Sequence, residues 1–123
     1  LRAPVYVADT DKEAIDEPEE SIMYFYSYLG KRLKDSATRA GVRQVEDRAA
    51  RGRRLQEISY EDALKEKLIV GSPGRVADRL MGLKETLGLD GILAEMNCGT
   101  KIPHEHVMKS LRLLCEKVKP AFN

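Results

Sequence analysis

Several groups of residues in this chain carry side chains that could do chemistry. Arg39, Arg43, Arg48 and Arg51 recur within residues 35–67, with Arg53 and Arg54 directly after them. Guanidinium groups bind phosphates and carboxylates bidentately, so the series fits either a lid reaching an anionic substrate or a solvated surface face. Nucleic acid is not expected as a partner, because the series lacks interleaved aromatic residues and the chain carries a net charge of only +1. His104, Glu105 and His106 have metal-binding composition. Residues two apart on a helix point to nearly opposite sides, however, so the two histidines cannot share an ion and the trio reads as polar residues of a helix start. Cys98 and Cys115 lack a CxxC spacing and read as free thiols of a reducing compartment. A nucleophilic Cys98 would need a lowered pKa. Tyr24, Tyr26 and Tyr28 alternate along an amphipathic segment and read as core and rim.

The elements that must position these groups follow from apolar spacing and punctuation. Residues 3–8 are apolar and β-branched, which predicts a buried strand with Pro4 near its start. Thr10 and Glu13 form a capping-box pattern that opens a helix, and Pro18 interrupts it. Ile22, Phe25, Tyr26, Leu29 and Leu33 then recur at helical spacing, predicting a helix to about Lys34. Residues 35–52 are polar and expected to be partly helical, and Ser59 starts a short helix through about Lys67. Leu68, Ile69 and Val70 form a short apolar run. Ser72 and Pro73 open the next helix, whose apolar stripe is Val76, Leu80, Leu83 and Leu87 and whose C-cap is Gly88. Residues 91–96 read as a second strand. Pro103 opens a last helix with the stripe Val107, Leu111, Leu114 and Val118, and Pro120 ends it.

Two strands separated by about 80 residues cannot form a hairpin, and a minimal βαβ unit needs only about 30. The connection therefore holds an insertion, and residues 35–67 are the candidate. Neither strand shows the polar alternation of an exposed face, and two strands cannot bury both faces of a parallel sheet. The chain is thus expected to self-associate or to be part of something larger. No internal repeat is visible. No apolar run approaches the roughly 20 residues of a membrane span. Leu1-Arg2-Ala3-Pro4 opens directly into the strand-like segment, so no leader is expected and a cytoplasmic location is.

Four pieces, in order, resemble the C-terminal portion of the bacterial luciferase-like flavin monooxygenases. They are Val5-Tyr6-Val7-Ala8-Asp9-Thr10-Asp11-Lys12-Glu13-Ala14, Ile69-Val70-Gly71-Ser72-Pro73 with Val76-Ala77-Asp78-Arg79-Leu80, Leu87-Gly88-Leu89-Asp90-Gly91-Ile92-Leu93, and Ile102-Pro103-His104-Glu105-His106-Val107 with Ser110-Leu111 and Val118-Lys119-Pro120. Together the quoted residues make up about a third of the chain, spread from Val5 to Pro120. The resemblance implies an α/β fold: the C-terminal part of a (β/α)8 TIM barrel holding its last two strands and closing helix. It implies a parent enzyme that oxidises a small organic substrate with O2 and reduced FMN, or a deazaflavin, with a flavin reductase as a further partner.

In such barrels the active site lies at the C-terminal ends of the strands. The resemblance therefore makes Asp9, Glu95 and Asn97 candidates for the substrate or flavin pocket. Alternation places Leu93, Glu95 and Asn97 on one face and Ile92, Ala94 and Met96 on the other. A carboxylate buried under a helix is costly, so Glu95 and Asn97 are expected to face the barrel interior. The alternative is that Glu95 pairs with an arginine or caps the last helix. The family's matching insertion is an active-site lid in several members, which makes Arg39, Arg43, Arg48 and Arg51 lid candidates. Six strands and most of the flavin pocket would lie outside this chain, so the chain alone is expected to be inactive and to bind no flavin tightly. The competing reading is a non-catalytic, oligomerising module derived from the barrel.

Overall fold

The computed structural model describes residues 1–37 and 42–122, with the backbone alone described for residues 37 and 42–46. Arg39 therefore lies outside the described residues, as does the side chain of Arg43. The fold is α/β and helix-rich. Among the described residues its sheet has three strands, β1 (Arg2–Val7), β2 (Ile69–Gly71) and β3 (Leu93–Glu95), all parallel, in the order β2-β1-β3. The two strands expected from sequence are β1 and β3. The apolar run before Gly71 is itself a strand, so the sheet has one strand more than its apolar patterning announces. Three residues are too few to display a period of two.

Register explains the sheet's two faces. Val5 pairs with Ile69 and Ala3 with Ala94, so Ala3, Val5, Val7, Ile69 and Ala94 share one face. That face packs under α5 (Pro73–Leu87), through Val76, Leu80 and Leu83, and under the C-terminal segment through Leu113, Val118 and Phe122. Tyr6 pairs with Val70 on the other face, which meets Ala14 of α1 (Asp11–Asp16), Ile102, and the start of α2 (Glu19–Ala37) through Ile22 and Tyr26. Leu87, expected in the buried stripe of α5, is instead 55% exposed because it lies in the last turn, beyond the sheet.

The local rules hold at the helix ends. Thr10 Oγ1 accepts the Glu13 N–H at 3.2 Å, and Ser59 Oγ accepts the Asp62 N–H at 3.1 Å at the start of α4 (Tyr60–Glu66). Gly88 ends α5 in the left-handed region at φ 65°. The insertion is more helical than its polarity suggests. α2 continues three residues past the expected stop, and α3 (Val42–Glu57) runs back alongside it. Gly30 and Gly52 meet where the two helices pass. The last helix, α6 (His104–Leu113), passes into a wider turn over Leu114–Val118, in which the Lys119 N–H bonds the Leu114 carbonyl, and a tight turn over Lys119–Phe122. Pro120 has no N–H to continue the α-helical ladder, and the widened turn carries Val118 into the core.

Candidate functional site

A group of interacting polar side chains surrounds the C-terminal end of β1. Tyr6 is buried on the sheet face under α1, and its hydroxyl donates to the Glu17 carboxylate. Glu17 follows α1, where Pro18 separates that helix from α2, so the chain break holds the carboxylate over the strand. His106, in the first turn of α6, places Nδ1 3.9 Å from Glu17 Oε2. That nitrogen is buried and makes no hydrogen bond to any of the described residues. Burial first, and then the hydrogen bond to Glu17, raise the Tyr6 phenol far above its ordinary pKa. Tyr6, Glu17 and His106 are thus an acid–base cluster in which one carboxylate meets a neutral phenol and an imidazole.

Around this cluster the rim is acidic. Residues 9–20 hold seven Asp or Glu against Lys12 alone, a net charge of −6. Lys109 of α6 donates to the Asp9 carboxylate. Asp11 Oδ1 accepts the Ser72 N–H at 2.8 Å, and its Oδ2 lies 3.5 Å from the Arg75 guanidinium. The Ser72 amide is the main cause that holds the Asp11 carboxyl below its ordinary range, with Arg75 adding to it. The Gly-Ser-Pro helix start is therefore tied to the end of β1 by a carboxylate. Ser72 itself makes no side-chain cap hydrogen bond, so Asp11 is what fixes its position.

The other candidates are placed elsewhere. Glu95 pairs in register with Pro4, in the first half of β1, whereas Asp9 lies beyond the C-terminal end of that strand, so the two residues are set at different levels of the sheet. Glu95 accepts from Arg2 Nε, which is the pairing weighed as the alternative to a pocket role. Asn97 shapes the turn after β3: its side-chain oxygen accepts the Ile102 N–H at 3.2 Å and its carbonyl accepts the Thr100 N–H at 3.0 Å. Ile92, Ala94 and Met96 pack toward the helices as alternation requires, while Leu93, on the Glu95 face, is 62% exposed. Cys98 is buried, and burial first, with the Glu95 charge next, pushes its thiol up to about 12. Such a thiol stays protonated at neutral pH and is no nucleophile. Cys115 is exposed.

Arg48 is exposed on α3, and Arg51 reaches a groove together with Arg54. This groove, of about 970 Å³, opens at the N-terminal ends of β1 and β2 among α2, α3, α4 and α5. A second groove, of about 530 Å³, lies between α5 and the C-terminal segment, beside Gly91 and Ile92 before β3. Both are at the end of the sheet opposite the Tyr6 cluster. Sequence reasoning missed Tyr6 and Glu17. The first reads as a strand aromatic and the second as helix surface, and only the break at Pro18 hinted that Glu17 turns inward.

The residues at the C-terminal rim do not fit the phosphate of FMN. The net charge of residues 9–20 repels it, and the nearby cations Lys109 and Arg75 already face Asp9 and Asp11. Among the described residues no group of three or more His, Cys, Asp or Glu is arranged to hold a metal ion, and no helix is long and apolar enough to cross a membrane. Comparison with protein-family models, with curated proteins and with solved structures gives no match.

Proposed function

We propose that this chain is the C-terminal portion of a luciferase-like, flavin-dependent monooxygenase and that it closes the fold instead of housing the cofactor. The observation that carries the reading is the parallel pairing of β1 with β3, joined through the helix that begins at Ser72-Pro73. These are the segments on which the family resemblance rests, and two successive barrel strands with their crossover helix pair in this way. Strand β2 occupies the other edge of β1, along Val5–Val7, where a preceding barrel strand would lie. In the parent enzyme that strand would displace β2 and complete the sheet. The Tyr6, Glu17 and His106 cluster would then stand at the active-site end, able to hold a proton near the substrate. The flavin would be bound by the parent's other strands, since the rim supplied here repels phosphate.

A second reading has its own support. Asp9 and Glu95 are each engaged by a cation, and Asn97 is engaged by backbone, so the chain's candidate pocket residues are all used structurally. That favours a non-catalytic module in which the motif survives as scaffold. The intact mass of the natural protein, together with its upstream coding sequence, separates the two. The monooxygenase reading expects roughly six further strand–helix units before Leu1. A natural polypeptide with no such units overturns it.

A further inference from the structure

We propose that His106 Nε2 is a proton acceptor, held ready by Glu17 and Tyr6, for a small substrate whose proton sits on an uncharged or cationic N–H or O–H group. The substrate half of this inference rests on the monooxygenase reading above. The assignment of the accepting atom rests on geometry alone.

One carboxylate oxygen joins the three side chains. Glu17 Oε2 accepts the Tyr6 hydroxyl and lies 3.9 Å from His106 Nδ1. A carboxylate oxygen has lone pairs enough for both. Burial keeps the Tyr6 phenol protonated, so it remains a donor and pins the carboxylate. The His106 side chain is 44% exposed although its Nδ1 is buried. The other edge of the ring, which carries Nε2, therefore faces solvent. An imidazole with one nitrogen toward a carboxylate keeps its proton there and carries its free lone pair on the other nitrogen.

The open contact at Nδ1 points to proton transfer over a purely structural pair. Among the described residues, His106 Nδ1 is the one buried side-chain nitrogen or oxygen without a hydrogen bond. A structural pair gains stability by closing such a contact. In a proton-transfer pair the contact is often long in the free protein and tightens during the reaction. The step balances simply. The substrate's N–H or O–H bond breaks, its electron pair stays on the substrate atom, and the proton joins Nε2. The imidazolium so formed is then drawn to Glu17 through Nδ1–H. The net charge of −6 over residues 9–20 favours that cation and repels an anionic substrate. Lys109, one turn along α6, already donates to Asp9 and lies in the field of Glu13 and Glu17, so it does not offset this.

The test uses the 123-residue chain without flavin, so its failure leaves the family reading standing and the reverse also holds. Nitrogen-15 NMR in mildly alkaline buffer should find His106 with its proton on Nδ1, and Glu17→Met should return it to the Nε2–H form that free histidine favours. Bromoacetamide should alkylate His106 at Nε2, and Glu17→Met should slow this about tenfold. Bromoacetate, the anionic counterpart, should react with His106 several-fold more slowly than bromoacetamide. Its handicap at His104, read by peptide mass spectrometry in the same sample, should be smaller. A proton on Nε2 of His106 in the unaltered chain overturns the proposal without recourse to any variant. So does alkylation that ignores Glu17→Met in a variant with unchanged circular dichroism. Equal rates for the two reagents overturn the substrate class.

Discussion

Gly30 and Gly52 face each other where α2 passes α3, each occupying the space that a Cβ on the other would need. A Cβ at Gly30 would lie 2.6 Å from the Gly52 carbonyl oxygen, and one at Gly52 would lie 2.5 Å from the Gly30 carbonyl oxygen. This contact brings two backbones together and lets a polar segment pack as a helix without large apolar side chains. In an open helix interior, Gly→Ala stabilises by about 0.5–1 kcal/mol. Gly52→Ala is expected to do the reverse and destabilise by about 1–3 kcal/mol, because the helices must separate. Gly82→Ala in α5 has open space around it and should show the ordinary gain. Urea titration of both variants reads the opposite signs, and a gain at Gly52 would contradict the close approach.

Ser110 supplies what β3 is too short to give. β3 pairs only as far as Pro4, and the Val7 N–H points past its end to Ser110 Oγ at 2.8 Å. Ser110 is fully buried, at 0% exposure. Ser110→Ala leaves the Val7 N–H buried without an acceptor and should cost about 1–3 kcal/mol. Hydrogen exchange at the Val7 amide should accelerate more than at its neighbours. Unchanged exchange there would remove the α6-to-strand tie from the account.

The two cysteines should behave differently. Cys98 is buried with its thiol pushed up to about 12, whereas Cys115 is exposed on the C-terminal turn. A thiol reagent applied to the folded protein at neutral pH is expected to modify Cys115 alone, with Cys98 reacting only after denaturation. Mass spectrometry of the labelled peptides gives the answer directly, and prompt labelling of Cys98 would show that its environment is open.

Asp11 makes stability depend on pH. Its carboxyl titrates below the ordinary value of 3.8 because the ionised form accepts the Ser72 N–H. The contribution is therefore complete above that value, where the unfolded chain's Asp11 is also ionised, and is lost as pH falls through the folded value. Asp11→Asn should lower stability at neutral pH and flatten the acid limb of the stability curve. A variant whose acid limb matches that of the unaltered chain would show that Asp11 does not anchor the Gly-Ser-Pro helix.

Much of the scaffold is legible in the residues themselves. Thr10, Ser59, Pro73 and Gly88 mark helix ends because caps and φ preferences are local properties. The even-numbered residues 92, 94 and 96 face the helices because strand alternation is local too. What escapes is what depends on distant partners. Ile69–Gly71 is a strand only because Val5–Val7 lies beside it. That Glu95 could pair with an arginine is legible, but not which one, since Arg2 lies 93 residues away. Tyr6, Glu17 and His106 meet only once α1 breaks at Pro18 and α6 folds back over β1. The glycines of the insertion carry no apolar signal, so a close helix pair there reads as a polar stretch.

The central claim is that this chain completes a flavin enzyme without binding the flavin itself. Fluorescence titration of FMN tests it most directly, performed on the 123-residue chain and on the polypeptide encoded by the whole natural reading frame. The account predicts saturable, stoichiometric binding by the full polypeptide and none by the 123-residue chain. Tight binding by the 123-residue chain alone, or no binding by the full polypeptide, would contradict it.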